Sequence, residues 1–238
     1  MKKLIETIQN IFKIEELRNR LLTTFLFVVI YRLGSYIVLP GVNVQVLQEL
    51  GSSANSGLMM LLDMFSGGAF SNASVFALGI MPYITASIVV QLLGMAIPYF
   101  QKLQREGESG RRKMDQITRY LTVLLLLFQG PAYLLSLKYQ VGPALPEGNF
   151  FMITSTLILA AGSMFVLWLG ERITDKGIGN GVSFIILVGI IARFPRSLMG
   201  EFMSRLNEST GGLVMFLAEI VFLLLVINNM VVFVNTSH

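Results

Sequence analysis

The sequence predicts an all-α fold, a polytopic membrane helix bundle, and three observations carry that prediction. Of 238 residues, 54% are hydrophobic and only 13% charged, with a mean hydropathy of +0.68. A water-soluble domain of this length cannot bury so much apolar surface. Six apolar runs reach or approach the roughly 20 residues that a helix needs to cross the hydrocarbon core. The basic residues gather in the short connections between those runs, so the net charge of +4 reads as topology and not as a nucleic-acid surface. Cysteine is absent, which excludes a disulfide framework and a thiolate metal site. The one histidine, His238, is the last residue and reads as a chain end, not a ligand.

At the N-terminus, Leu4, Ile5, Ile8, Ile11 and Phe12 share one helical face with charges between them. A cleavable signal peptide would show an unbroken apolar core and a small-residue cleavage site. Residues 1–20 therefore read as an amphipathic helix, either lying on the cytoplasmic membrane surface or docked on a partner. Residues 21–238 read as the membrane domain. Its first span is Leu21–Leu39. A long connection follows, in which Gly51-Ser52-Ser53-Ala54-Asn55-Ser56 is a loop by composition. Leu58–Phe65, LMMLLDMF, is an apolar helix too short to cross, stopped by Ser66-Gly67-Gly68. Lipid does not accept a short segment with free backbone groups, so a re-entrant helix near 57–65 is expected, buried in protein or plugging a water-filled cavity. An interfacial helix is the alternative. Met59, Met60 and Met64 suit an adaptable fit.

The second span, Val75–Ile97, is a membrane-length run interrupted by Pro82. Ile80, Ile84, Ser87 and Gln91 follow at i, i+4, i+7 and i+11, a helical face dry at its start and wet at its end. A basic, glycine-interrupted loop comes next. The remaining spans are Tyr120–Leu137, with a kink expected at Gly130-Pro131, then Met152–Leu169, Ile178–Phe194 and Leu213–Val234. The fifth is the shortest, with Gly177, Gly179 and Gly181 crowding its start; Val182 and Ile186 share one of its faces.

Basic residues set the orientation. Lys2, Lys3, Lys13, Arg18 and Arg20 precede the first span; Lys102, Arg105, Arg111, Arg112, Lys113 and Arg119 follow the second; Arg172 and Lys176 follow the fourth. The opposite side has nothing basic between Leu33 and Ser74 and only Lys138 in its next loop, although Arg193, Arg196 and Arg205 run against the trend. Positive charge resists translocation, so both termini of a six-span chain are expected in the cytoplasm. Within the spans, a charge costs about 2.5–3.5 kcal/mol at the membrane centre. Arg32 and Glu219 each read as facing a partner or snorkelling, and Arg32, nearer the outer interface, favours snorkelling. Gln91, Gln129, Asn228 and Asn229 are candidates for bonding neighbouring helices.

No enzyme reading fits. A membrane serine protease needs a serine with a histidine, and a zinc protease needs HExxH, which is absent. Asp63, Asp115 and Asp175 lie outside the depths of the spans, and no P-loop is present. No catalytic residue, metal or cofactor is assigned. From the residues alone, a small-solute transporter, a scaffold or insertase subunit, and a gated pore stay open, and an apolar stripe is first of all ordinary packing.

Four ordered strings carry a resemblance: RLGSYIVLPGV at Arg32–Val42, MFSGGAFSNASVFALGIMPYITASIVVQLL at Met64–Leu93, EGESGRRK at Glu106–Lys113 and LGERITDKGIGNGVSFII at Leu169–Ile186. Spaced across the whole chain, they resemble the SecY family, central subunits of the bacterial protein-conducting channel, over its N-terminal half plus the sixth span. The resemblance implies half of an inverted-repeat channel fold plus one helix. It implies a pore ring at Ile80, Ile84, Val182 and Ile186, and a plug including Leu58, Met60, Leu61, Met64 and Phe65. It puts Ser87 and Gln91 on one side of a lateral gate, and Arg105, Arg111, Arg112 and Lys113 in a cytoplasmic docking loop. The implied partners are SecE and SecG subunits, the SecA ATPase, the ribosome, signal-sequence-bearing polypeptides and anionic lipids, with no nucleic acid contacted except through the ribosome. The implied location is the cytoplasmic (inner) membrane. Family members continue into a basic loop and four more spans, so this chain alone is expected to be an incomplete channel.

Overall fold

The computed structural model describes residues 13–43, 63–141, 146, 148–206 and 212–236. It divides into two compact units, Met1–Ile190 and Ile191–His238. The described elements are helical, apart from turns and one isolated antiparallel bridge, Val38 with Ser74. They are α1 (Glu15–Gly34), α2 (Met81–Ala96), α3 (Pro98–Arg105), α4 (Glu108–Val141), α5 (Asn149–Lys176), α6 (Gly181–Leu206) and α7 (Gly212–Thr236). Helices α4, α5 and α6 are long and apolar enough to cross a membrane, and α2 with α3 makes a fourth if that bent pair is one span. The chain is thus an all-helical polytopic membrane protein. Helix α1 carries Arg18, Arg20 and Arg32 and falls outside that group, and the apolar helix described within α7 is Met215–Asn229.

The first two apolar runs fold differently from their sequence reading. Helix α1 stops at Gly34, five residues before the expected end. Tyr36 and Ile37 N–H groups turn back to the Leu33 and Gly34 carbonyls at 3.1 and 3.2 Å. The chain then pairs with the segment ahead of α2: Leu39 N donates to Ala73 O at 2.9 Å and Val75 N to Ile37 O at 2.9 Å. The second run is helical only from Met81. Residues 66–80 form a succession of turns, and Pro82 opens α2 instead of interrupting it. In the first helical turn the missing proline N–H has no partner to lose.

The expected basic loop is also mostly helix. Ile97 is extended, Pro98 starts α3, and α3 lies at 99° to α2. Only Glu106 and Gly107 separate α3 from α4. Gly107 has φ +71°, which closes the reversal in two residues. Pro131, expected to kink, sits inside the continuous α4.

In the first unit, α5 is the central helix, with Leu159, Val166, Leu167, Leu169 and Ile173 buried. Two apolar clusters form around it. One joins Leu39, Ala73 and Ala77 to Tyr133, Leu134, Leu137 and Leu159. The other joins Tyr31, Ala69, Phe76 and Ile80 to Val166, Leu169, Ile173 and Ile185. Gly162 makes the approach possible: a Cβ there would collide with the Val75 carbonyl. Close packing over small residues is how helices associate without a hydrophobic drive between them.

In the second unit, Arg205 of α6 pairs with Glu201 at 2.8 Å and with Glu219 of α7 at 3.1 Å. The Phe202 and Phe216 rings lie 5.4 Å apart. Glu219 thus meets a cation inside the chain, and the cation is one of the three that ran against the charge trend. Asn229 donates to the Leu225 carbonyl of its own helix at 2.8 Å, instead of to a neighbouring helix.

Candidate functional site

The four aliphatic residues expected to act together do meet in one cluster. Ile80 ends the turn run at the N-cap of α2 and is 5% exposed. Its carbonyl accepts the Ile84 N–H at 3.1 Å, the first bond of the helix. Ile84, Val182 and Ile186 are half-buried and pack against the cluster that holds Ile80. On α6 the fully buried positions are Gly181, Ile185 and Gly189, four residues apart. Val182 and Ile186 come one residue later, about 100° around the helix, so they flank the packed seam and keep part of their surface free. Ile185, not chosen from the sequence, is the side chain that locks α6 into the cluster. The glycines four residues to either side of it were the available signal.

Aromatic rings back this aliphatic group. Tyr31 and Phe76 are stacked with centroids 6.3 Å apart, and Phe76 and Phe165 lie 5.8 Å apart. A surface of this kind gives a polar solute no fixed bonding partner and disfavours water in a narrow passage.

Leu58, Met60 and Leu61 lie outside the described residues. Met64 and Phe65 belong to a helical turn, Asp63–Phe65, and both are exposed. The turns after them are densely bonded. The Asp63 carboxylate accepts the Ser71 N–H at 2.8 Å, and the Asp63 carbonyl accepts from Ser66 Oγ at 3.1 Å and Gly68 N at 2.9 Å. Tyr133 OH donates to Phe70 O at 2.8 Å. Tyr31 OH donates to Ser66 O at 3.2 Å, and Arg32 Nη1 to Gly67 O at 3.0 Å. Arg32 therefore reaches a backbone carbonyl of the protein, where the sequence suggested snorkelling.

On α2, Ser87 is half-buried and Gln91 exposed, and Gln91 Nε2 donates to Ser87 Oγ at 3.3 Å. This polar pair is internal to one helix, where a bond to a neighbour was expected for Gln91. Ile88, Val89, Leu92 and Met95 lie exposed around it, so α2 presents a mixed polar and apolar face.

The candidate docking residues sit on helices and not in a loop. Arg105 is in the last turn of α3, and Arg111, Arg112 and Lys113 are in the first turns of α4. Arg112 pairs with Glu108 at 2.7 Å and Lys113 with Glu106 at 3.9 Å. Arg119 pairs across to Glu171 of α5 at 2.7 Å. Exposed pairs of this kind are worth about 0–1 kcal/mol each, so the cations stay available to an acidic partner.

The model of the SecY family matches residues 74–238, more than half of the chain. The chain belongs to the SecY family. It is 42% identical to the protein translocase subunit SecY of Thermotoga maritima, over 85% of this chain and 49% of that protein. It is 38% identical to the SecY of Buchnera aphidicola, over 100% of this chain and 55% of that protein. Against the SecY of Escherichia coli K12 the identity is 44%, over 77% of this chain and 42% of that protein. The chain spans about half the length of these curated SecY relatives.

Proposed function

We propose that this chain forms part of a protein-conducting channel. In this reading the channel passes unfolded secretory polypeptides across the cytoplasmic membrane and membrane proteins into it. The observation that carries the proposal is the meeting of Ile80 and Ile84 with Val182 and Ile186 in one apolar cluster, within a chain of the SecY family. These four side chains form one arc of the pore ring, and the other arc is supplied by residues outside this chain. Residues 57–65, of which only 63–65 are among the described residues, act as the plug of the resting channel. The Ser87–Gln91 face of α2 is one side of the lateral gate through which signal sequences reach lipid.

Arg105, Arg111, Arg112 and Lys113 form the cytoplasmic docking element for SecA or the ribosome. SecE, SecG and anionic lipids complete the assembly, and any ATP hydrolysis belongs to a partner. Six crossings put both termini in the cytoplasm.

The test is the resting ion conductance of the translocase containing this chain, in planar bilayers. Deleting 57–65 and, separately, Ile84→Asn should each raise resting leak while assembly persists. Burial of one aliphatic side chain is worth about 1.5–3 kcal/mol, so the substitution should shift a two-state gate by roughly ten- to a hundredfold. Unchanged leak in both variants, with folding verified, would reject the seal. Because the chain has no cysteine, single cysteines at positions 53, 109 and 147 report topology directly. Impermeant reagent should label 53 and 147 from outside and 109 only after lysis.

A further inference from the structure

We infer that Arg32 is a positioning residue for the resting seal: with Tyr31 it fixes the backbone that follows the plug helix. The inference rests on reading residues 57–65 as the plug.

A guanidinium in the second half of an apolar helix persists only where it finds acceptors. Arg32 finds two. Nη1 donates to the Gly67 carbonyl at 3.0 Å and Nη2 to Tyr36 OH at 3.3 Å, with the guanidinium carbon 5.6 Å from the Tyr36 ring centre. Tyr36 thus braces one edge of the guanidinium while the other edge holds the turn. The preceding residue, Tyr31, donates to the preceding carbonyl, Ser66 O, at 3.2 Å. Two successive side chains of α1 grip two successive carbonyls.

The opposite jaw is bare backbone. Gly67 has φ +63°, a conformation that favours glycine. A Cβ on Gly67 would stand 2.9 Å from Gly189 Cα, and one on Gly189 would stand 3.1 Å from the Phe65 carbonyl oxygen. Residues 65–67 are therefore held between α1 and α6. Helix α6 also carries Val182 and Ile186. A displacement of α6 that widens the proposed pore ring withdraws one jaw of this clasp and leaves the Tyr31 and Arg32 bonds of α1 as the hold on residues 66 and 67, which couples ring and anchor mechanically.

The test uses the translocase containing this chain in liposomes, with Arg32→Gln, Arg32→Lys and the 57–65 deletion compared. Hydrogen exchange is read on peptides covering residues 63–74, and resting ion leak is read in parallel. Arg32→Gln should speed exchange there about tenfold, the effect of losing one charge-assisted hydrogen bond, and should raise leak. Arg32→Lys, which keeps a donor for Gly67 O but not the braced fork, should recover most of the protection. Unchanged exchange in Arg32→Gln overturns the role of Arg32 whatever the plug does. Faster exchange without added leak overturns it when the deletion is leaky. If the deletion itself adds no leak, the plug reading fails, and the seal role assigned to Arg32 falls with it.

Discussion

The aliphatic waist proposed as the pore ring and the turn run that leads into it are continuous in sequence, meeting at Ile80, yet they are held by opposite means. Residues 63–75 are fastened by directional bonds: the Asp63 carboxylate, the Tyr133 hydroxyl, the Arg32 guanidinium and the pairing with 37–39 each take a named backbone group. The side chains of Ile80, Ile84, Val182 and Ile186 are held by apolar contact. Directional bonds fix one geometry and are costly to break when buried. Aliphatic contact is non-directional and re-forms against any surface of similar polarity. Under the proposed function, a seal that opens for many different chains is better built from the second kind, on a support built from the first.

That contrast predicts two modes of failure. The largest effect belongs to the support. Gly162→Val would drive a side chain into the Val75 carbonyl. Relief requires α5 to move away from the turn run, and overpacking of this sort costs about 1–3 kcal/mol or more. Poor assembly and a clearly lowered Tm of the detergent-solubilised complex are expected. A Tm equal to that of the unaltered chain would mean the approach at Gly162 is not structural. Next comes Tyr133→Phe, which removes the donor of the part-buried bond to the Phe70 carbonyl. It should cost about 1–3 kcal/mol, measurable as a lower midpoint in denaturant, with resting leak little changed.

At the waist the signs reverse. Ile84→Val should cost under about 1.5 kcal/mol and leave the leak low, whereas Ile84→Asn should raise the leak without lowering the yield of assembled complex. Met81→Asn, off the cluster face, should disturb assembly more than leak. The smallest effect is expected at the exposed Arg112–Glu108 pair, where Arg112→Ala should change stability by under about 1 kcal/mol.

The hydrogen-bonded support and the aliphatic waist were unequally legible in the sequence. The resemblance to the SecY family, where spacing alone suggested ordinary packing, brought Ile80, Ile84, Val182 and Ile186 forward together, and all four fall in or against one cluster. Helix class and the long spans were visible because hydropathy is additive along a helix. The turns of 66–80 were not visible, since Val75–Ile80 is as apolar as the helix after it and differs only in backbone conformation. A proline inside an apolar run signals a helix start or an interruption, and only the preceding turns decide which. The basic hairpin was read as a loop because charge and glycine mark loops by composition, although Gly107 confines the reversal to two residues. The reach of Arg32 to Gly67 joins residues 35 apart in sequence, a pairing that periodicity cannot anticipate.

The central claim is that Ile84 and Ile186 border the path of a moving polypeptide. With no native cysteine in the chain, single cysteines at Ile84, Ile186 and Met81 can each be crosslinked to a secretory chain stalled midway through the translocase. Strong adducts are expected from positions 84 and 186 and weak ones from 81. Strong adducts from Met81 with none from the other two would place the path elsewhere and contradict it.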